Sequence, residues 1–382
     1  MFRIPVHRIN WPTSLFLFLS LLTTLTAVPA YLWFYGLDWF QVALFGVFFV
    51  CSSMSITLGY HRLFAHVAFQ ASWPVRLGTL IFGSAAFEGS VLDWVSDHRR
   101  HHKHVDHDED PYDITKGFFH AHVGWLLLKL KPVPPMDNVN DLQTDALIRW
   151  QHRYWYGIGF LVSFVLPTLI GWAWGGPQGA LGSFLLAGVA RIVAVQHTTF
   201  FINSLCHTIG RRPYSSRCTA RDSWLMALFT FGEGYHNFHH EFQHDYRNGV
   251  KPWQFDPTKW AVWMLNRLGL TRNLRRVPSE KILLAEIAEK QRQLEARLHA
   301  QTLRLSETAH TLLQRAQERL QQAAHNWDQR MNEYRRATEK RIEASREKIH
   351  ELKRELELAA AHLRAAIEAW HEAHHLALTR FA

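Results

Sequence analysis

The chain has 382 residues and a formal net charge of +9, from 42 Lys and Arg against 33 Asp and Glu. A basic surface is compatible with nucleic acid, anionic lipid headgroups or acidic ligands. The 16 Trp residues favour a membrane, because indole rings settle at bilayer interfaces. The three cysteines are too few and too scattered for a disulfide framework, and they indicate a reducing compartment. We therefore expect a membrane protein that binds no nucleic acid.

Four apolar stretches are long enough to cross a bilayer, which requires roughly 20 such residues. They run approximately over residues 14–35, 39–58, 154–174 and 179–200. The first could instead be a signal peptide, but it is long for one and the second stretch follows after a minimal turn. Within the four stretches, Arg191 is the only fully charged residue. We therefore predict four transmembrane helices.

The segments between these stretches differ in charge. Residues 35–38 and 175–178 lack Lys and Arg, whereas the N-terminus, residues 59–153 and everything after 200 are basic. The positive-inside rule therefore places both termini and residues 59–153 in the cytoplasm, at the inner or cell membrane if the source is bacterial. Within that segment, residues 75–92 are apolar but broken by glycines, which is typical of an interfacial or re-entrant helix.

Histidines are concentrated beside these apolar stretches, on the predicted cytoplasmic side. The groups are His61 with His66, His98 with His101 and His102, Asn203 with His207, and His236 with His239 and His240. Both triplets have the spacing i, i+3, i+4, which places their members on one face of a helix. Imidazole is a strong ligand of Fe, Zn and Cu, and nine imidazoles are more than one tetrahedral zinc needs. The count therefore indicates two metals.

Other interpretations of the histidines account for less of the pattern. Ordinary interfacial histidines would explain any single pair, but not two matched triplets on one side. The zinc-protease pattern H-E-x-x-H occurs at residues 240–244 and 371–375. The first copy would leave eight of the nine histidines unused, and the second has no later ligand. Glu233 and His236 resemble half of a carboxylate di-iron signature. Because a second half is missing, we expect Glu233 only to hold a ligand imidazole in position.

The residues around the histidines resemble the integral-membrane acyl-CoA desaturases of the stearoyl-CoA type. The motifs that carry the resemblance are HRLFAH at 61–66, DHRRHH at 97–102, NSLCH at 203–207, GEGYHNFHH at 232–240 and DYRNG at 245–249. They occur in that family's order over roughly residues 30–260. The resemblance implies an all-α membrane protein with four transmembrane helices and a cytoplasmic, histidine-rich helical cap.

The same resemblance implies the chemistry. The nine histidines would ligate a di-iron centre, and Asn203 would reach one iron through a water. With O2 as co-substrate, such a centre removes hydrogens from two adjacent methylenes of a fatty acyl chain, leaving a cis double bond, at Δ9 by analogy. Trp94 and Thr199 would line the acyl tunnel, while Lys129 would meet an acidic head group. Since the sequence contains neither a His-Pro-Gly-Gly motif nor a CxxC pair, we expect a separate electron donor: a ferredoxin, a rubredoxin, or cytochrome b5 with its reductase.

Four positions differ from the animal members of that family. Ser96 replaces an Arg, Gly89 an Asn and Phe200 a Trp, and Tyr60 is bulkier than the usual small residue. The differences fall on head-group and tunnel positions rather than on metal ligands. They leave the acyl carrier open between CoA, phospholipid and acyl carrier protein, and they also leave the chain length open.

Residues 279–382 contain neither Pro nor Gly and are rich in strong helix formers. We therefore expect a helical extension after a desaturase domain of residues 1–278. Apolar residues of the extension fall partly on a heptad, which favours a helical hairpin or a self-associating coiled coil.

Two functional alternatives remain at the level of sequence. A hydroxylase of the same histidine-box superfamily would use the same metal site and release an alcohol. A non-enzymatic membrane anchor would instead bind partners through its long helical tail.

Overall fold

The computed structural model describes residues 6–129, 135–301, 307–339 and 346–380. The chain divides into two compact units, Met1–Arg276 and Val277–Ala382. The helices of the first unit are α1 (Trp11–Tyr35), α2 (Trp39–Met54), α3 (Trp73–Ser84), α4 (Val91–His104), α5 (Trp125–Leu127), α6 (Asn140–Gln143), α7 (Ala146–Phe160), α8 (Leu166–Ser183), α9 (Arg191–Thr208), α10 (Trp224–Phe229), α11 (His236–Glu241) and α12 (Pro257–Arg267). Wider π-helical turns cover Ser55–Ala65, His120–Gly124, Leu161–Val165 and Phe184–Ala190, and 3-10 turns cover Val6–Arg8, Ile114–Lys116 and Asp137–Val139.

Within the described residues, three continuous helical segments are long and apolar enough to cross a membrane: Trp11–Tyr35, Trp39–Ala65 and Ala146–Thr208. The first ends at Gly36, whose φ of 76° a residue with a side chain rarely adopts. The second begins at Asp38, whose carboxylate accepts from the backbone N–H of Phe40 at 2.9 Å. Large apolar side chains such as Trp33 and Trp39 are exposed on these segments, as expected of surfaces that face lipid.

The third segment covers 63 residues, too many for one crossing of a bilayer. Its helical geometry is interrupted at Gly175 and Gly176, whose backbone angles are not helical. On either side of this break the helix packs against itself at two glycines. A Cβ built on Gly171 would lie 2.3 Å from the carbonyl oxygen of Gly179, so only glycine permits this approach. The chain therefore reverses direction at the break.

The apolar residues 75–92, which the sequence predicts as one interfacial or re-entrant helix, do not form a single helix. α3 ends at Ser84, and α4 begins at Val91 behind the N-cap Ser90. Between them the backbone is held by a buried cation from α9. The Arg191 side chain is fully buried and donates to the carbonyl oxygen of Ala85 at 2.6 Å. This explains the one charge in the predicted spans: it satisfies a carbonyl at the end of α3.

A hydrophobic core lies where the π-helical end of the second segment packs against α3 and α4. Tyr60 is fully buried in this core. Two short strands pair antiparallel: β1 (Gln70–Ala71) and β2 (Thr271–Arg272). They join the loop after the π-helical turn Ser55–Ala65 to the end of the first unit. The last residues of the first unit are thereby fixed beside the histidine-bearing elements.

The second unit consists of α13 (Ser279–Gln301), α14 (Glu307–Glu339) and α15 (Arg346–Arg380). α14 and α15 pack antiparallel, because Gln317 bonds Trp370 while Arg330 pairs with Glu355. Their shared core includes Leu320, Trp327, Leu363, Ile367 and Trp370. This pairing agrees with the helical hairpin that the sequence predicts, and the coiled-coil association between copies stays a prediction.

Replacing Leu363 with Ala should destabilise the second unit by about 2–5 kcal/mol, because a fully buried side chain would leave a cavity. Hydrogen exchange of the α14 and α15 amides in the full chain measures this free energy. The matched control is Leu358→Ala, which truncates a side chain that is 62% exposed. Its effect should stay within about 0.5 kcal/mol. Equal effects of the two variants would contradict the packing.

Candidate metal centre

The nine predicted histidines come together from four separate parts of the first unit. Each histidine contributes one ring nitrogen to one of two groups. In each group, these nitrogens all lie within 4.8 Å of one another. The five-histidine group comprises His61, His66, His98, His102 and His239, and the four-histidine group comprises His101, His207, His236 and His240. Each triplet is divided between the groups, so the two groups share the helices α4 and α11.

The spacing of His61 and His66 follows from a π-helical turn. Residues Ser55–Ala65 form this wider helix, in which the backbone N–H of His66 donates to the carbonyl oxygen of His61 at 3.1 Å. A hydrogen bond from i+5 to i is that of a π-helix. It places residues five apart on nearly the same face, so both imidazoles point toward the same group. π-helical turns are frequent at functional sites.

Within each group the Nε2 atoms face one another. In the five-histidine group, His66 and His98 approach at 2.8 Å and His102 and His239 at 2.9 Å between Nε2 atoms. In the four-histidine group the Nε2 atom of His236 lies 3.1 Å from those of His207 and His240. Neutral imidazole carries one N–H and one lone pair. When the hydrogen is on Nδ1, the Nε2 atom of an imidazole presents a lone pair. A cation between the Nε2 atoms of a group would accept these lone pairs.

Three of the imidazoles are held at the opposite nitrogen by polar side chains. Glu233 Oε2 lies 2.8 Å from Nδ1 of His61. Asp110 lies 2.9 Å from Nδ1 of His101, and both are buried. Such partners fix the Nδ1–H tautomer and direct Nε2 toward a metal. Glu233 therefore has the orienting geometry expected of it from the sequence.

The third partner is a threonine. Nδ1 of His207 lies 2.7 Å from the hydroxyl of Thr219, which donates to Asp106 at 2.6 Å. The sequence analysis identified neither Thr219 nor Asp110. Asp110 belongs to a run of four acids within residues 106–110, and no periodicity distinguishes it from its neighbours. Thr219 lies in a loop, where a lone threonine carries no signal.

Arg62 fixes the glutamate that orients His61. Its fully buried guanidinium donates to Glu233 at 2.9 Å and to Asp256 at 3.0 Å. Burial alone would raise the pKa of Glu233, but the facing His61 and Arg62 outweigh it and lower the pKa below its ordinary value. Glu233 is therefore ionised at neutral pH, accepts from Arg62 and forms an ion pair with His61.

Burial also sets the protonation of the imidazoles themselves. It lowers the pKa well below the usual value, and neighbouring histidines add to the effect, for His66, His98, His102, His236, His239 and His240. These six are therefore neutral at physiological pH. Neutral imidazole is the form that binds a metal ion.

A cavity of about 400 Å³ adjoins the centre. Most of its wall is apolar, and His61, His98 and His236 are among the residues that line it. Trp94 and Thr199, the predicted tunnel residues, both line it. Asn203 does so as well, one helical turn before His207. Lys129 is not among its described lining residues; its backbone N–H instead donates to the carbonyl of Arg8.

The geometry does not favour a zinc-protease site at residues 240–244. α11 ends at Glu241, so His240 and His244 do not share a helical face. Nδ1 of His244 lies 2.9 Å from the carbonyl oxygen of His66, and Glu241 pairs with Arg217. The other copy, at residues 371–375, lies on α15 in the second unit, where His374 stacks on Trp370.

Replacing Asp110 with Asn should weaken metal binding about 10- to 100-fold, because an amide is a poorer acceptor for the Nδ1–H of His101. Competition with a chelator measures the affinity. Asp108→Asn is the control, since that carboxylate is 98% exposed and makes only a 3.7 Å ion pair with Lys116. Indistinguishable affinities of the two variants would contradict an orienting role for Asp110.

Comparison with known proteins agrees with this geometry. The fatty acid desaturase family model matches residues 37–265. Acyl-CoA desaturase 1 of Saccharomyces cerevisiae is 43% identical over 257 residues, 66% of this chain and 50% of the relative. Stearoyl-CoA desaturase of Homo sapiens is 33% identical over 274 residues, 70% of this chain and 74% of the relative. The matched region covers about half the length of the Saccharomyces cerevisiae relative and of the probable acyl-CoA desaturase of Schizosaccharomyces pombe. The chain belongs to the fatty acid desaturase family.

Proposed function

We propose that this protein catalyses the O2-dependent desaturation of a long-chain fatty acyl substrate at a di-iron centre. The observation that carries the proposal is the convergence of nine imidazoles, seven of them buried and two half-buried, in two groups beside an apolar cavity. Bound iron would supply the oxidation by O2 of unactivated C–H bonds, which no protein side chain can perform.

The donor set fits two iron ions. We assign the five-histidine group to one ion and the four-histidine group to the other, with Asn203 completing the second set through a water. Asn203 and His207 are one turn apart on α9, so their side chains lie on one face. An all-imidazole set suits iron but would also bind zinc, which nitrogen ligands hold more tightly than Fe²⁺. Metal analysis of the purified protein therefore distinguishes iron from zinc.

The protein's own contribution is positional. The cavity wall would hold one pair of methylenes near the metals and keep bulk water out, which converts an improbable encounter into a fixed geometry. Trp94 stacks on His98 with ring centroids 4.8 Å apart, and both side chains line the cavity. We assign Trp94 and Thr199 to substrate positioning on this basis.

We propose that the first unit crosses the membrane four times, with the 63-residue segment making two passes that reverse at Gly175 and Gly176. Trp174 donates to Asp38 at 3.2 Å and stacks on Phe40. The two short connectors without Lys or Arg therefore lie together at the end away from the histidines. The positive-inside rule then supports a cytoplasmic site and cytoplasmic termini.

We propose an acyl-CoA thioester as the substrate, because the names of the relatives specify acyl-CoA or stearoyl-CoA. Lys129 would meet the head group, and Δ9 is the expected position. Phospholipid and acyl carrier protein remain alternative carriers. The reaction needs two electrons, which we assign to a separate ferredoxin, rubredoxin, or cytochrome b5 with its reductase. Residues 279–382 would form an extension that can self-associate.

Wild-type protein, expressed in a desaturase-deficient host with donor proteins, should produce a new cis-monounsaturated fatty acid. His239→Ala should lower its yield at least about 100-fold, because it removes a ligand of the five-histidine group. Gas chromatography–mass spectrometry with double-bond derivatisation measures the product and its position. Glu241→Gln, which removes the base of a zinc-protease site, should leave the yield unchanged.

The same assay separates the alternatives. A hydroxy acid in place of the unsaturated product would identify a hydroxylase. A membrane anchor predicts no new fatty acid from any variant, and loss of cellular function only on deletion of residues 279–382. Retention of the product in His239→Ala would contradict the proposed metal site.

A further inference from the structure

α12 carries an apolar face that is exposed in the described part of the chain. Trp260, Trp263 and Met264 form this exposed face, because they lie at i, i+3 and i+4 on the helix. Their side chains are between 47% and 56% exposed. The opposite face supplies the packing, since Thr258 and Val262 are fully buried. Contiguous exposed apolar side chains mark a site of protein or membrane contact.

The first turn of α12 is fixed at the end of the second membrane segment. The hydroxyls of Thr258 and Thr57 lie 2.7 Å apart, and both side chains are buried. Thr258 Oγ1 also lies 3.8 Å from Sδ of Met54, the last residue of α2. Residues 39–57 extend about 27 Å along a helix, and the hydrocarbon core of a bilayer is about 30 Å thick. Because the segment begins at Trp39, α12 begins where the segment leaves the hydrocarbon.

The other end of α12 is hydrogen-bonded to the start of α3. The backbone N–H of Ser72 donates to the carbonyl oxygen of Leu270 at 2.8 Å. The next residue, Trp73, begins α3 and is 61% exposed. With 11 residues, α12 is too short to cross a bilayer. A short helix held in this way lies along a membrane surface rather than across it.

Basic side chains accompany the exposed face. Residues 257–276 contain five Lys and Arg and no Asp or Glu. The guanidinium of Arg267 lies 5.0 Å from the centre of the Trp263 ring. Four of the five cations are exposed: Arg267, Arg272, Arg275 and Arg276. Aromatic rings beside cations favour an anionic membrane surface. A second copy of the same basic surface would instead be repelled.

α12 is also connected to the metal centre. Its N-cap, Asp256, accepts from the backbone N–H of Lys259 at 2.9 Å and from Arg62 at 3.0 Å. Arg62 donates in turn to Glu233, whose Oε2 lies 2.8 Å from Nδ1 of His61. The position of α12 relative to a bilayer therefore sets the position of the centre.

We propose that the exposed face of α12 binds the membrane surface on the histidine side, with its indole rings among the headgroups and Arg267 against anionic lipid. This contact fixes the height of the metal centre above the bilayer. The inference rests on the membrane crossing of the second segment, which belongs to the proposed function, and it adds a lipid contact outside the spanning helices.

Photocross-linking of the full chain in nanodiscs of phosphatidylglycerol and phosphatidylcholine tests this contact. Met264 is replaced with p-benzoylphenylalanine, and mass spectrometry identifies the adducts. Lipid adducts should form at this position, as they should with the same probe at Leu169, which is 62% exposed on a spanning segment. The matched control is the probe at Asp108, whose side chain is 98% exposed in a loop and which should give no lipid adduct.

The outcomes separate the inference from the proposed topology. Adducts at Leu169 without lipid adducts at Met264 would overturn the inference and leave the crossing intact. Adducts of the Met264 probe with another part of this chain or with a second copy, in place of lipid, would overturn it as well. Absence of lipid adducts at both positions would contradict the crossing itself, and the inference with it.

Lipid selectivity at the Met264 probe tests the role of charge. The adducts should be enriched in phosphatidylglycerol relative to its share of the nanodisc lipid. Arg267→Gln should lower this enrichment by up to about fivefold, the effect of one cation near an anionic surface. Arg267→Lys, which keeps the charge, should restore it. Equal enrichment with Arg, Gln and Lys at this position would overturn the contact with anionic lipid.

Discussion

The close approach of imidazole nitrogens in two buried groups is the constraint on which the rest of the first unit depends. Nε2 atoms of His66 and His98 lie 2.8 Å apart, and those of His236 and His207 lie 3.1 Å apart. A buried polar atom without a partner costs about 1–3 kcal/mol. Two cations would satisfy the lone pairs of all nine imidazoles at once, so metal binding and folding of this region should be linked.

The surrounding structure supplies what this arrangement requires. Glu233, Asp110 and Thr219 hold the far nitrogens of three imidazoles and thereby fix which nitrogen faces the metal. Arg62 balances the charge of Glu233 and connects it to Asp256, which also caps α12. The centre is therefore continuous with the core, and a change in one partner should alter metal affinity without direct contact with a metal.

The membrane segments contribute position rather than chemistry. α2 continues without interruption into the π-helical turn that carries His61 and His66, and α9 ends with His207. Arg191 and Gln196 of α9 also donate to the carbonyl oxygens of Ala85 and Phe87, in the turn between α3 and α4. One helix therefore fixes a metal ligand and the wall of the cavity together.

Sequence reasoning identified what depends on residue type and local spacing. The i, i+3, i+4 triplets predicted shared helical faces, and the apolar stretches predicted the long helices. It did not show that each triplet would be divided between two groups, because that depends on how α4 and α11 face each other. The π-helical turn was also missed, since sequences such as SITLGYHRLFA carry no distinct π-helix signal. Thr219 and Asp110 act through tertiary contacts alone, which one sequence does not reveal.

The two histidine groups predict two distinct metal sites in each chain. Metal analysis of anaerobically iron-reconstituted protein tests this prediction, with Mössbauer spectroscopy to characterise the iron. The wild type should bind two irons per chain. His239→Ala should lose the ion of the five-histidine group, and His236→Ala that of the four-histidine group, with different residual spectra. One iron per chain in the wild type, or identical residual spectra in the two variants, would contradict the account.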